Sequence, residues 1–470
     1  MRILEVSMIV GLLAHIIYLL SPGRMEYVWL GLVVFVCLPL LVVHLIVEGY
    51  RWQMVPVYLA LCACLLCQAL PSFLDVQASF LVGLIALCFL GAGIVLGTVF
   101  PVFQLPLPTG SHVIGTRIRH LIDANRRDPS EPDSPRELMI QIWYPAQATA
   151  GRIAPYREVA TTGSFDRRFS LVKTHSMLDA PLSASRAHYP LLLYMPSWDG
   201  LRTENTSLAE DLASHGYVVV AIDHPYSSLA TVFPDGRIIE SRLLNQDFFS
   251  SDAAFESFLT TAEAQIRLRA DDAKFVLDDL QAPTESGWKA FANRVDLDRV
   301  GIFGFSLGGG VAAQACWLDR RFKACVNMDG MMAAESFEQG TRAPYLVMAE
   351  ADPPPPDSMP NASPSKRREL VANFEQFVQM RKLLATRGGS WLTIPRTRHF
   401  NFSDDAFSSP LRFYSRAGAI PPAVATGIIR RYLRAFFDQY LEGVDRPLLD
   451  ELHSQGGRFE QWKNSFEHQR

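Results

Sequence analysis

Hydrophobic positions follow two different rules along this chain. Within residues 1–104 they form near-continuous runs at 3–20, 27–47, 54–70 and 80–100, parted by short polar breaks at 21–26, 48–53 and 71–79. About 20 apolar residues in a helix span the hydrocarbon core of a bilayer. Helices buried in a soluble core would carry polar faces, which these runs lack. A cleavable leader holds one apolar segment, so four in succession predict an all-α, four-helix transmembrane region.

From residue 138 the runs shorten. Apolar stretches of strand length at 138–144, 191–195, 217–222, 300–305, 324–328, 345–348 and 391–394 alternate with helical periods at 207–214, 263–280, 309–318, 374–387 and 425–440. Strands apolar on both faces belong to a parallel sheet covered by helices. The second part therefore reads as an α/β domain with a mostly parallel sheet. The predicted division is a multi-pass region at 1–104, a Pro- and Gly-interrupted linker at 105–136, the α/β domain at 137–445 and a polar tail at 446–470.

The 470 residues are 49% hydrophobic and 20% charged, a balance that excludes a disordered chain. With 44 basic and 48 acidic residues, the net charge of −4 provides no basic field to displace counterions, so nucleic acid is not an expected partner. Charge is segregated. Residues 1–104 carry only Arg2, Arg24, Arg51, Glu5, Glu26, Glu48 and Asp75. Four spans put both termini on one side, with Arg2, Arg51, Arg117, Arg119, Arg126 and Arg127 against Arg24. That count favours a cytoplasmic α/β domain in the plasma or inner membrane. Cys37, Cys62, Cys64, Cys67 and Cys88 fall inside the spans and read as small packing residues rather than metal ligands. Only Cys316 and Cys325 remain, which indicates no disulfide framework and leaves the redox compartment open.

Chemistry concentrates at Gly304-Phe305-Ser306-Leu307-Gly308, where a strand runs into Gly-x-Ser-x-Gly and then a helix. This is the context of a nucleophile elbow, whose glycines permit the sharp turn that lifts the serine above the sheet. A serine hydroxyl needs a base. Of the eleven histidines, His399 follows the last strand and fits the order serine, acid, histidine; the others lie in the spans, in the tail or before Ser306. The acid is Asp329, at the end of 324–328, or Glu350 or Asp352 at the end of the next strand. Residue order leaves these open. No zinc-protease helix, phosphate-cradling loop or dinucleotide fingerprint occurs, so neither a metal nor a cofactor is expected.

Several segments from residue 105 to 402 resemble the plasma-type platelet-activating factor acetylhydrolases, serine lipases and esterases of the α/β-hydrolase fold. They are Pro106-Leu107-Pro108-Thr109-Gly110 with Ile114-Gly115-Thr116, then Gln141-Ile142-Trp143-Tyr144-Pro145. Next come Asp211-Leu212-Ala213-Ser214-His215-Gly216-Tyr217 leading to Asp223-His224, the elbow, Met328-Asp329-Gly330 and His399-Phe400-Asn401-Phe402. The resemblance implies the acid after the strand that follows the nucleophile, hence Asp329. It also implies an oxyanion hole from the backbone N–H groups of Leu307 and Trp198. The family's His-Gly before the latter position reads Pro196-Ser197 here. Asp199 nearby reads as a loop cap. The implied substrate is a phospholipid with a short or oxidised sn-2 acyl chain.

Two further segments stand out. Residues 363–368 (Ser-Pro-Ser-Lys-Arg-Arg) read as a solvated basic loop. Residues 233–259, with Phe248, Phe249, Phe255 and Phe258, occupy the place of a lid, as acyl pocket or as core. The expectation is thus a membrane-anchored esterase acting through Ser306, His399 and Asp329. The rivals are a general carboxylesterase or polyester-type hydrolase, an acyltransferase with the same residues, and a non-catalytic lipid sensor. Sequence does not specify oligomeric state.

Overall fold

Apolar side chains all round a helix leave no water-facing stripe, and the N-terminal helices have none. The computed structural model describes residues 2–21, 36–69, 76–147, 151–162, 167–243, 248–444 and 458–462. Its first helices are α1 (Ile3–Leu20), α2 (Leu38–Val47), α3 (Val55–Ala69) and α4 (Val76–Val99). Three helical stretches, Ile3–Leu20, Trp52–Ala69 and Val76–Val99, are long and apolar enough to cross a membrane, while α2 is shorter. The remainder of the expected second span lies outside the described residues.

Buried charges tie the helix ends together. Arg2 Nε lies 2.9 Å from Glu48, Arg51 pairs with Glu5, and Arg51 also donates to the Phe100 carbonyl at 3.3 Å. Positions 2–5, 48–51 and 100 therefore meet at one end, so α1 and α3 leave that end and α2 and α4 return to it. His44, between Glu48 at 2.9 Å and Tyr58 at 2.7 Å, completes the cluster. Ligand atoms of Glu5, His44 and Glu48 lie within 4.8 Å of one another. Both carboxylates are already occupied by arginines, as buried charges require.

Contacts divide the chain into two units. The first joins Met1–Gln104 with Pro155–Lys173 and Phe407–Ser415; the second holds the rest. Residues 1–104 thus do not stand alone as a unit. Ser409 Oγ donates to the Val99 carbonyl at 2.6 Å, and the Tyr414 ring lies 4.7 Å from that of Phe100.

Among the described residues the second unit is built on thirteen strands: β1 (Val113–Asp128), β2 (Glu131–Ala146), β3 (Ile153–Pro155), β4 (Lys173–Leu178), β5 (Tyr189–Met195), β6 (Val218–Asp223), β7 (Ala230–Val232), β8 (Ile238–Glu240), β9 (Val295–Phe305), β10 (Phe322–Met328), β11 (Tyr345–Ala349), β12 (Gly389–Thr393) and β13 (Arg458–Trp462). Eleven form one sheet in the order β13-β12-β11-β10-β9-β5-β6-β2-β1-β4-β3, and β7 pairs with β8. Strands β6, β5 and β9 through β12 run parallel. Alternate residues of each strand enter opposite apolar layers. Leu191 and Leu193 join Ile266, Ala270 and Val311 on one face; Leu192 and Tyr194 join Leu208, Ile428 and Tyr432 on the other. The covering helices used below are α5 (Thr206–Ser214), α6 (Asp252–Gln281), α7 (Leu307–Leu318), α8 (Pro364–Arg387) and α9 (Pro422–Leu441).

Three expectations need correction. Most of the expected linker at 105–136 is sheet, since β1 pairs antiparallel with β2 from Val113↔Ala146 onward. Its arginines disguised it by lying on aromatic faces, Arg117 at 4.9 Å from the Phe291 ring and Arg119 at 4.6 Å from that of Trp288. Residues 363–368 are not a loop. The Ser363 side chain accepts from the Lys366 N–H and Pro364 begins α8, a Ser-Pro start suited to N-cap and first helical positions. The tail contributes an edge strand, β13, antiparallel to β12. In addition, Cys316 of α7 and Cys325 of β10 form a disulfide with their Cα atoms 6.5 Å apart, a pairing that cysteine spacing left unmarked.

Candidate active site

Parallel α/β sheets present their chemistry beyond the carboxyl ends of the strands. Here Ser306 follows β9, Asp329 follows β10 and the His399 loop follows β12. Ser306 has φ 56° and ψ −124°, the strained turn that an elbow imposes. The turn is possible because its glycines have no side chains. A Cβ on Gly304 would stand 2.0 Å from the Gly308 carbonyl oxygen, and one on Gly308 would stand 2.0 Å from that of Met195. The Ser306 N–H donates to the Met328 carbonyl at 3.0 Å, locking the elbow to the neighbouring strand.

Asp329 also has a positive φ, 54°. Its N–H donates to the Met348 carbonyl at 2.7 Å, and its Oδ1 accepts from the Glu350 N–H at 3.0 Å. Oδ2 is thereby left for His399, whose Nδ1 lies 2.6 Å away, while His399 Nε2 lies 3.0 Å from Ser306 Oγ. The other acids are placed differently: Asp352 meets Thr393 Oγ1 at 3.5 Å, and Glu350 supplies its backbone to Asp329. Asn401 fixes the histidine loop, its Oδ1 accepting from the N–H groups of Arg398 at 2.9 Å and Gly418 at 2.6 Å. Burial works to lower the His399 pKa, but the hydrogen bond and charge of Asp329, with Glu350 and Glu204 behind, outweigh it and the pKa is raised. Burial and the Asp329 charge raise that of Glu350.

Leu307 is the first residue of α7, and Trp198 lies in the loop after β5. Among the described residues neither backbone N–H has a hydrogen-bond acceptor. The Trp198 ring packs against Phe248 at 5.3 Å and Phe258 at 5.2 Å, and those two stack at 4.3 Å. Asp199 holds its loop, Oδ1 accepting from Ser241 Oγ at 2.6 Å and its carbonyl accepting from the Leu229 N–H at 2.9 Å. A cavity of about 390 Å³ is lined by the apolar Leu259, Met331 and Phe337 and by the charged Glu263, Arg267 and Glu335. Chemically, this arrangement offers a hydroxyl, a base aligned by a carboxylate, and free N–H donors beside an aromatic wall.

Sequence reasoning passed over two buried charges next to this site, Glu204 and Arg269. For Arg269 the signal was available: it stands among Ile266, Ala270 and Ala273, on the apolar stripe of α6, where a charge requires a reason.

Residues 133–455 match the family model of platelet-activating factor acetylhydrolase, isoform II. A probable 1-alkyl-2-acetylglycerophosphocholine esterase of Arthroderma benhamiae is 24% identical over 396 residues, covering 77% of this chain and 95% of that relative. The platelet-activating factor acetylhydrolase of Cavia porcellus is 24% identical over 320 residues, covering 64% of this chain and 65% of that enzyme. The solved structure of a ferulic acid esterase from Streptomyces cinnamoneus is similar with a TM-score of 0.61 and 31% identity, over 77% of this chain and all of that one. An α/β-hydrolase sheet, an elbow serine and these relatives agree, and the chain belongs to the platelet-activating factor acetylhydrolase isoform II family of serine esterases.

Proposed function

We propose that the protein is a membrane-anchored phospholipid esterase that cleaves short or oxidised sn-2 acyl groups. The observation that carries this reading is the hydrogen-bonded chain from Ser306 Oγ through His399 to Asp329, at 3.0 and 2.6 Å. Ser306 Oγ attacks the ester carbonyl carbon as His399 Nε2 takes its proton. Asp329 keeps the imidazole in the required tautomer and stabilises the imidazolium. The oxyanion forms against the N–H groups of Leu307 and Trp198, a donor of this kind contributing about 2.7–4 kcal/mol to the barrier. His399 then protonates the departing alcohol. Water, deprotonated by the same nitrogen, releases the acyl group and restores Ser306.

Selection of a short acyl chain is supported by the Trp198, Phe248 and Phe258 rings beside the donor loop. Anchoring is supported by the apolar helices. The Cys316–Cys325 bridge supports an esterase domain on the oxidising side of the membrane, because cytosolic thiols are kept reduced. The opposing positive-charge count rests on Arg2 and Arg51, both engaged with glutamates. Its other arginines lie in β1, within a long folded domain to which that rule does not extend.

The test is product analysis with purified full-length protein in vesicles. Release of acetate from 1-alkyl-2-acetylglycerophosphocholine, abolished by Ser306→Ala, is expected, with long-chain phospholipids poor substrates. A second reading, an esterase for diffusible esters, is favoured by the likeness to a ferulic acid esterase. Faster turnover of soluble aryl esters than of any phospholipid would establish it instead.

A further inference from the structure

The loop Pro196-Ser197-Trp198 carries the proposed second oxyanion donor, and two buried charges grip it from opposite sides. Arg269 of α6 is fully buried. Its Nη1 donates to the carbonyls of Pro196 at 3.3 Å and Ser197 at 2.8 Å, and its Nη2 to those of Trp198 at 2.7 Å and Ser227 at 3.0 Å. Among the described residues four carbonyls, rather than a carboxylate, solvate this guanidinium. Glu204, also buried, accepts from the Ser197 N–H and from Tyr194 Oη, each at 2.9 Å, and from Ser197 Oγ.

Peptide planarity turns these contacts into a direction. A trans peptide points its C=O and the following N–H oppositely, and the described chain contains no cis peptide. The Pro196–Ser197 peptide is therefore held at both ends, its carbonyl by Arg269 and its N–H by Glu204. In the next peptide the Ser197 carbonyl is held by Arg269, so the Trp198 N–H must point away from the guanidinium, and it has no acceptor among the described residues. The same loop abuts the nucleophile helix, since a Cβ on Gly308 would lie 2.0 Å from the Met195 oxygen and 2.7 Å from that of Pro196. Leu307, one residue before Gly308, is thus fixed against the loop that carries Trp198.

We propose that Arg269 and Glu204 are positioning residues that preset the Trp198 N–H as an oxyanion donor, through the carbonyl and amide of Ser197. The proposal rests on the reading of Ser306 as nucleophile. Donors fixed before the reaction need no reorganisation as charge develops, which is where such sites gain their rate. Four aligned carbonyls need a planar fork of donors. A lysine ammonium, with three donors at one point, cannot reproduce it.

The test uses full-length Arg269→Gln, Arg269→Lys and Glu204→Gln proteins in vesicles, compared with wild type and Ser306→Ala. Turnover of an sn-2 acetyl phospholipid is measured together with inhibition by an alkyl trifluoromethyl ketone, which forms a tetrahedral oxyanion on the serine. Expected is a fall in kcat of about 100-fold for the Arg269 variants and about 10-fold for Glu204→Gln. KM should stay within about three-fold, and ketone affinity should weaken by the same factor as kcat/KM. Because Arg269 is buried its variants can fail to fold, and Glu204→Gln, close to isosteric, then decides. A folded variant with kcat within three-fold of wild type overturns the proposal, as does loss of kcat with unchanged ketone affinity. If Ser306→Ala itself retains full activity, it is the nucleophile assignment that fails.

Discussion

Replacing Gly308 by alanine puts a methyl group where the structure holds a carbonyl. The new Cβ would lie 2.0 Å from the Met195 oxygen, 2.6 Å from its carbon and 2.7 Å from the Pro196 oxygen. All three are backbone atoms, so no side chain can swing aside. Restoring a contact of about 3 Å requires the start of α7 and the 195–198 loop to part by about 1 Å, a misplacement that costs on the order of 100-fold in rate when it occurs among reacting groups. Stability should fall by about 0–2 kcal/mol. Alanine gains about 1 kcal/mol over glycine inside a helix, which partly offsets about 1–3 kcal/mol of overpacking. The assay is initial-rate hydrolysis of an sn-2 acetyl phospholipid in vesicles, with a melting curve for each variant. Gly287→Ala is the control, because nothing lies within 4 Å of a Cβ built there. We expect Gly308→Ala to be folded, to lose about 100-fold in kcat and to change KM little. A folded Gly308→Ala enzyme within three-fold of wild type would refute the view that the elbow and the donor loop form one fitted surface.

Further outcomes can be measured in the same preparation. Asp329→Asn should lower kcat by about 10⁴ by favouring the wrong imidazole tautomer. With His399 as the proposed base, active only when neutral, and its pKa raised, wild-type kcat/KM should fall as pH drops through a value above the ordinary 6.5 or so. Loss of the Asp329 charge should move that limb to lower pH. Burial lifts the Asp404 carboxyl to about 7, so the folded state keeps a proton that the unfolded chain releases near 4. Stability should therefore decline as pH rises from about 4 to about 7, by up to about 1.4 kcal/mol per unit, and Asp404→Asn should remove that contribution in a comparison of melting curves across pH. Cys316→Ser opens a bridge between residues nine positions apart and should cost about 2–3 kcal/mol. In intact cells, thiol trapping without reductant should find Cys316 and Cys325 unreactive in the wild type. Free thiols there would return the domain to the cytosolic side.

Sequence and structure agree where local chemistry decides. The elbow was legible because its glycines must flank Ser306 for the strand to turn; His399 was singled out by the order serine, acid, histidine, and the structure brings its Nε2 to 3.0 Å from Ser306 Oγ. Strands β5, β6 and β9 through β12 were legible because burial on both faces leaves uninterrupted apolar runs. β1 was hidden, since Arg117 and Arg119 on its length mimic a solvated linker until the Phe291 and Trp288 rings beneath them are known. Choosing among Asp329, Glu350 and Asp352 needed the resemblance to a family, because residue order does not say which strand end faces the imidazole. The grip of Arg269 and Glu204 on Ser197 is a contact across 72 and 7 positions. Nothing in residue spacing marks such a contact except a charge on an apolar stripe. Likewise, the pairing of Arg51 with Glu5 follows from the return of the chain to one end of its helices, which hydropathy alone leaves open.

In the proposed mechanism Ser306 is the nucleophile and His399 activates it. Covalent labelling with a fluorophosphonate, followed by peptide mapping of full-length protein, tests it most directly. A single modified serine, Ser306, is expected, with labelling absent in Ser306→Ala and slowed at least 1,000-fold in folded His399→Ala, about the range seen when a triad member is lost. Modification of a different residue, or an undiminished rate without the imidazole, would contradict it.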